Sequence, residues 1–406
     1  MPLKKIDYSK YLYTYVFFML FCLVSQAQEF KINHGPYLQY LTTDEVTIIW
    51  TTTKNCISWV EFYEEDGSHF YQKEREKVFS SLDGLKTINK IHRVRITGLK
   101  PSTRYAYRIY SKEVLRPDYN SPLFGKTIAT QVYKKKPLYF TTLSTNKKHT
   151  SCFILSDIHE KSVQVRRLLK DADWNKIDFV VFNGDFINSF YLEATLFEGF
   201  IDTCTEIFAK EKPFYIVRGN HETRGSIAPL LKNYFYFPQD KYYYTFSSGS
   251  TLFIVLDCGE DKPDSAMEYN GLVDFNSYRN NQAKWLQRVV KSQEFKNSES
   301  TIVFIHIPPF TERRGNEWYG QMHIREKFIP ILNSVSIDLM VCGHTHKYTY
   351  LPKNKTEHNF PIIICDNNTR IDLHIDDSGI KVIRIDGDSK ILSQKVFIKR
   401  KKELKQ

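Results

Sequence analysis

Five apolar runs in this 406-residue sequence end in side chains able to bind metal. The clusters are Asp157-Ile158-His159, Gly184-Asp185, Gly219-Asn220-His221-Glu222, His306 and Gly343-His344-Thr345-His346. One histidine after a strand means little, because most such residues are structural or solvated. Five independent tips bearing Asp, Asn or His are much harder to read that way. Carboxylate, amide oxygen and imidazole suit Zn, Fe, Mn or similar divalent ions, and no thiolate is involved. Two ions roughly 3.5–4 Å apart need a bridging group, which the two oxygens of a carboxylate supply. Gly184 and Gly343 let the backbone turn sharply and come close to the ions.

The elements that must position these tips follow from apolar patterning. From Cys152 onward, the runs SCFILSD, KIDFVVFNGD, PFYIVRGNHE, STLFIVLDCGE, STIVFIHIPP and IDLMVCGHTH read as buried strands. Helical stretches (KSVQVRRLLKDA, EATLFEGFIDTCTEIFAK, NNQAKWLQRVVKSQ) lie between several of them, which indicates an α/β region over 150–400. In open α/β sheets ligands gather beyond the carboxyl ends of the strands, so distant residues converge there. After Pro361 the pattern is of strands alone, expected to complete a second sheet.

Residues 28–145 read as all-β. The runs at 45–52, 58–66 and 92–99 alternate apolar with polar residues and are separated by turn residues. The stretch 98–111 (GLKPSTRYAYRIYS) couples a proline turn to a strand with Tyr105, Tyr107 and Ile109 on one face. Together with Trp50 it resembles a fibronectin type III-like sandwich, with Tyr105 as the corner tyrosine. Residues 138–142 would form its last strand, and 144–151 the linker. No internal repeat or low-complexity segment appears.

Hydrophobic residues make up 42% and aromatics 15%, which excludes a disordered or fibrous chain. At the amino terminus, Lys4, Lys5 and Lys10 precede an apolar run at 11–24, and Ser25-Gln26-Ala27 follows. This order reads as a secretory signal over residues 1–27. The run is shorter than the ~20 residues of a spanning helix, so cleavage after Ala27 is preferred to an uncleaved anchor. Lipidation at Cys22 is an alternative, though bulky Phe21 sits where a small residue is expected. Loss of three lysines and one aspartate takes the formal charge from +11 to +9, a balance that suits anionic substrates or surfaces. No later stretch is long and apolar enough to span a bilayer. The lysines at 399–405 read as a solvated tail. Cys56, Cys152, Cys204, Cys258, Cys342 and Cys365 show no CxxC spacing, and those in strand-like runs read as buried thiols.

The ordered set DxH, GDxx, GNHE, a lone His before Pro, and GHxH resembles that of the calcineurin-like metallophosphoesterases. The GPYLQ run at 35–39 and the N-terminal sandwich are similar to purple acid phosphatases and their bacterial relatives. The resemblance spans nearly the whole mature chain. It implies a four-layer α/β/β/α sandwich behind the all-β one, and a metal-dependent phosphoric ester hydrolase. It further implies one ion on Asp157, His159 and His346, a second on Asn220, His306 and His344, and Asp185 bridging them. His221 would stand beside the substrate, stabilising the transferring phosphoryl group or protonating the leaving oxygen. The purple enzymes carry a Tyr ligand three residues after the bridging Asp. Here that position is Asn188, and His159 fills a place they usually give to Gly. A neutral imidazole replaces an anionic phenolate, so a divalent pair without purple colour is expected.

The expected reaction is in-line attack by water, with no covalent enzyme intermediate. The expected substrate is a small phosphorylated molecule, and the sequence does not choose among monoesters, diesters and nucleotides. Candidate substrate contacts are Arg224, Arg313 and Arg314, with Trp318, Tyr319 and His323 on the same overhanging segment; for any single one, a solvated loop is the plainer alternative. The tyrosine-rich stretch 233–246 reads as hairpin packing. An exported location follows from the signal. A cell-surface binding protein with an inactive phosphatase domain is the alternative, but all seven expected ligands and His221 are present. A stable nucleic-acid partner is not expected, because no clustered basic-aromatic motif occurs.

Overall fold

A computed structural model of the chain describes residues 29–130, 135–144, 148–312, 315 and 317–399. The signal expected over 1–27, Cys22, Arg313, Arg314 and the tail beyond 399 lie outside the described residues.

Two sheets make the α/β region. In the first, Thr150–Leu155, Phe179–Asn183 and Phe214–Val217 run parallel. In the second, Thr251–Val255, Ser300–Phe304, Leu339–Cys342 and Ile362–Ile364 run parallel, with Tyr244–Ser248 and Thr349–Leu351 antiparallel at the ends. Successive side chains on a strand point to opposite faces. Phe253, Val255, Ile302, Phe304, Leu339 and Val341 thus share one buried core with the first sheet. Their neighbours Leu252, Ile254, Val303, Ile305, Met340 and Cys342 pack instead with Leu286, Ile324 and Phe328 of the helices Phe275–Val289 and Tyr319–Asn333. Helix Ser162–Leu169 puts Val165, Leu168 and Leu169 into the first core. The result is the expected α/β/β/α layering. Helix Phe275–Val289 starts where it does because Asp264 accepts its first two amide protons, at 3.0 Å each, and Asp274 accepts that of Ser277.

The C-terminal strands correct one expectation. Only Ile362–Ile364 joins the second sheet, while Thr369–Asp376, Gly379–Asp386 and Ile391–Phe397 cross to the first, beside Thr150–Leu155. Alternation identifies a strand but not its neighbour, which is set by where the chain crosses and which ladder has an open edge. The runs at 45–52 and 58–66 are likewise one bent strand, Glu45–Glu64. Its first part pairs with Ile32–Gln39 and Asn89–Thr97, and its second with Glu76–Phe79 and Arg104–Arg116. A register shift between Thr51 and Cys56 makes the bend.

The sandwich core holds Trp50, Val60, Phe62, Val94, Tyr107 and Phe140. Trp50 donates its indole N–H to Ser111 Oγ at 3.0 Å. The Tyr105 hydroxyl accepts the Lys100 amide at 2.9 Å, the bond expected of a corner tyrosine. The sandwich is not a separate body on a tether. Gln39 pairs in parallel with Phe214, which joins both regions in one 13-stranded sheet. Hydrogen bonds of 2.6 Å run from Tyr37 Oη to Tyr234 O, from Tyr107 Oη to Lys210 O and from Tyr215 Oη to Leu41 O. Within the tyrosine-rich stretch, Tyr234, Phe235, Phe237, Tyr242, Tyr243, Tyr244 and Phe246 are buried, but only its end, from Tyr244, enters the expected hairpin, against Thr251–Val255. All six described cysteines are buried and free. No helix among the described residues is long and apolar enough to cross a membrane.

Candidate metal centre

Because the central strands are parallel within each sheet, their carboxyl ends open on one side. The first sheet delivers Asp157, Asp185 and Asn220, and the second delivers His306 and His344. The backbone then turns back abruptly. Five of the seven candidate ligands have left-handed φ: Asp157 57°, His159 48°, Asp185 53°, His344 72° and His346 55°. For a residue with a Cβ this costs about 1–2 kcal/mol each, so something must hold them. The amides of Asp157, His159 and Glu160 bond the carbonyls of Gly184, Asp185 and Phe186 at 2.9–3.0 Å, which laces the first two tips together. Gly343 N bonds His306 O at 2.8 Å, which laces the two second-sheet tips.

Glycines make the close approach possible. Gly184 has φ 88°, and a Cβ there would collide with the His306 ring. A Cβ on Gly343 would strike the Ser156 hydroxyl and crowd the Asp157 carboxylate.

Six of the seven expected ligands come together, and Asn220 precedes His221 at the neighbouring tip. Asp157 Oδ1 lies 3.3 Å from His346 Nε2 and 3.9 Å from His306 Nε2. Asp185 Oδ2 lies 2.9 Å from His306 Nε2, and His159 Nε2 lies 3.0 Å from His346 Nε2. Asp157, His159 and His346 form one group able to hold an ion, Asp185, His306 and His344 another, and His159, Asp185 and His221 a third, so His221, expected outside the metal shell, lies within ligand reach of the cluster. Asn220 Oδ1, His306 Nε2 and His344 Nε2 are buried without a hydrogen bond. His306 Nδ1 donates to Asn183 O at 2.7 Å, so the neutral ring turns a lone pair towards the Asp185 carboxylate. Facing lone pairs repel unless a cation sits between them, and this donor set of carboxylate, amide oxygen and imidazole fits divalent metal. Proton affinities say the same. Burial disfavours charge on His306, yet the Asp185 and Asp157 carboxylates outweigh it and raise the ring to about 10. Burial, reinforced by His306, holds His344 down at about 3. A metal ion would replace the proton those carboxylates draw onto His306.

His221 stands at the edge of this cluster, its Nε2 3.9 Å from Asp185 Oδ2. Its Nδ1 donates to Asn188 O at 2.9 Å, and its amide donates to Asp185 Oδ1 at 3.0 Å. Asn188 turns its own amide and side chain to Glu160, at 2.8 and 3.1 Å. Arg224 engages Glu260 and His221. Trp318 packs edge-on to His344, with ring centroids 4.5 Å apart, beside a cavity of about 230 Å³ that also touches His346 and Lys347. Tyr319 and His323 lie instead in the helix Tyr319–Asn333, where Tyr319 bonds Asn276 and His323 meets Arg279.

The supporting residues had no role assigned from sequence. Glu222 is fully buried and accepts the amides of Gly219 (2.7 Å), Asp185 (2.9 Å) and Ile187 (3.1 Å), tying two strand tips together. Burial, then the Asp185 charge, pushes its carboxyl up to about 8. Its fixed spacing after Gly219 is the one signal that marked it. Ser156 bonds Asp157 Oδ2 at 2.6 Å, and neither it nor Glu160 stands out in the sequence pattern.

Replacing Gly184 with Ala should displace the His306 ring. Metal affinity should fall about 10–100-fold, as for loss of a group that orients a ligand, with the circular dichroism spectrum kept. Full metal content by mass spectrometry in a folded variant would show that the close approach is not needed.

Comparison with known proteins gives the family. Residues 151–348 match the calcineurin-like phosphoesterase family, and residues 35–123 match the purple acid phosphatase N-terminal domain. An uncharacterized protein of Mycobacterium tuberculosis is 23% identical over 282 residues, covering 64% of this chain and 50% of the relative. The chain thus spans about half the length of the curated relatives it matches. Among solved structures, a phosphoesterase from E. coli is 14% identical, with TM-score 0.30, over 61% of this chain and 99% of that one. A putative 5'-nucleotidase from Staphylococcus aureus is also 14% identical, with TM-score 0.36, over 62% and 53%. By its two domain matches, the chain belongs to the calcineurin-like phosphoesterases and carries a purple acid phosphatase N-terminal domain ahead of them.

Proposed function

We propose that this chain is an exported phosphoesterase that hydrolyses small phosphate monoesters or diesters with two divalent metal ions as cofactor. One observation carries the reading: Asp157, His159, Asp185, His306, His344 and His346 converge in groups able to hold an ion, while Asn220 Oδ1 and His344 Nε2 stay buried without a hydrogen bond. Asp157, His159 and His346 would hold one ion, Asn220, His306 and His344 the other, and Asp185 both. Such ions supply Lewis acidity at phosphate oxygens and water that ionises near neutral pH.

The protein side of the chemistry falls to few residues. His221 is the one imidazole of the cluster left over by this ligand assignment, and its Nδ1–H bond to Asn188 turns Nε2 towards the site. It would stabilise the transferring phosphoryl group or move a proton to the leaving oxygen. Water as the attacker fits the thiols, since burial raises Cys152 and Cys258 well above the ordinary cysteine range.

Asp185→Ala should remove metal and turnover together on a panel of mono- and diesters. His221→Ala should keep its metal while kcat falls about 10²–10⁴-fold; an unchanged kcat would refute its role, and a metal-free, inactive wild type would refute the whole reading. Asn188 offers no phenolate and its side chain is bound to Glu160, so metal-replete protein should be colourless. A strong visible absorption band would contradict the divalent assignment. The export proposal rests on the basic and apolar order of residues 1–27. A mature amino terminus at Gln28, read by mass spectrometry, is the expected result, and an intact Met1 in the exported fraction would overturn it.

A further inference from the structure

Two cavities lie end to end on one face of the second sheet. The nearer holds about 230 Å³ and is walled by the expected ligands His344 and His346, with Trp318, Thr349 and Ile364. The farther holds about 480 Å³ and is walled by Phe310, Glu317, Arg325, Leu351, Lys353 and Lys355. Thr311 lines both. The strand Thr349–Leu351 sets their spacing. Thr349 pairs with Ile364 and Leu351 with Ile362. Residues two apart on a strand share a face, so the farther cavity opens about 7 Å beyond the nearer one. The chain runs from His346 towards Leu351, which places the farther cavity on the side away from the metal-binding tip. The nearer cavity alone falls short of the roughly 300–1,000 Å³ of a small-molecule site, and the two together reach it.

Charge differs between them. In the nearer, Lys347 Nζ pairs with Glu312 at 2.9 Å, so beyond the metal ligands its wall carries no net charge. In the farther, Arg325, Lys353 and Lys355 outnumber the carboxylates Glu317 and Glu357. Arg325 is held by its Nε bond to Pro309 O at 2.9 Å and lies 4.8 Å from the centroid of the Phe310 ring. Its terminal nitrogens reach Glu317 only at 3.4 Å. Phe310 is buried and meets the His358 ring at 4.9 Å, which makes that wall firm. Lys353 and Lys355 are exposed, and neither forms an ion pair among the described residues. The turn that carries them is closed by Asn354 and His358, whose amides and carbonyls exchange bonds of 2.7 and 2.8 Å.

We propose that the farther cavity binds a second anionic group on the leaving portion of the substrate. The ester bond then lies at the metal-binding tips, and the far end of the leaving group lies at Arg325, Lys353 and Lys355. The proposal rests on the phosphoesterase reading and names its substrate class. The substrates are small phosphoesters whose leaving group spans about 7 Å or more and ends in a phosphate or carboxylate. An uncharged alcohol would fill the nearer cavity and leave the cations of the farther one in water.

Matched ligands test it. Metal content and turnover of n-hexyl phosphate are measured first on the wild type, and a metal-free, inactive protein marks failure of the phosphoesterase reading. Hexylphosphonate and hexane-1,6-bisphosphonate, which cannot be hydrolysed, are then titrated by calorimetry into metal-replete protein at low salt. They share a six-carbon chain and differ in the distal anion. The bisphosphonate should bind about 10-fold more tightly, as for one added charge-assisted hydrogen bond. Ethane-1,2-bisphosphonate, too short to bridge the cavities, should show no such gain over ethylphosphonate. In the Lys353→Ser/Lys355→Ser variant, with metal content unchanged, the gain of the hexane pair should be largely lost. The preference in kcat/KM for hexane-1,6-diol bisphosphate over n-hexyl phosphate should fall with it. Equal affinity of the hexane pair for active wild-type protein overturns the proposal, whether or not the variant folds. An equal gain in the ethane pair, or a gain that survives in the double variant, overturns it too.

Discussion

The structure is organised around a deficit of positive charge. Two buried carboxylates and four imidazoles face one another at the strand tips, and a buried amide oxygen, that of Asn220, has no hydrogen bond. The carboxylates draw protons onto His306 and His346. Such a collection is tolerable only if a cation is meant to occupy it, and the protein must hold it together before that cation arrives. Much of the surrounding architecture serves that end.

Holding it is backbone work. Each sheet aligns its parallel strands so that their carboxyl ends share a side, and the left-handed turns at Asp157, Asp185 and His344 reverse the chain as soon as the strands end. Those turns are unfavourable for residues with side chains. They persist because amide–carbonyl bonds lace neighbouring tips, and because the Glu222 carboxylate gathers three amides from two of them. The same bonds make the ligands rigid, which is what a pair of ions at short spacing needs.

Around this frame the reactive edge is built from borrowed contacts. Asn188, at the position where the purple enzymes place a tyrosine ligand, lends its carbonyl to His221 and its side chain to Glu160. The N-terminal sandwich reaches the α/β region through strand pairing at Gln39 and buried tyrosine hydroxyls. It therefore braces strand Phe214–Val217, whose tip carries Asn220 and His221. A module that looks like a separate appendage in the sequence is part of the scaffold of the site.

The Asp and His tips that cluster were legible in the sequence, because metal ligation demands particular atoms and each lay just past an apolar run. The layering was expected from the family resemblance those motifs carry, while apolar patterning gave buried strands alternating with helices. Sequence pattern did not disclose the return of Thr369–Asp376 to the first sheet, the fusion of two runs into Glu45–Glu64, or the offices of Ser156, Glu160, Glu222 and Glu260. Strand partners and hydrogen-bond partners join residues far apart in the chain, and local periodicity carries no record of them. By itself the sequence determined which atoms can meet a metal; only the tertiary structure decided how they face one another, because that depends on backbone turns and ladders closed between distant segments.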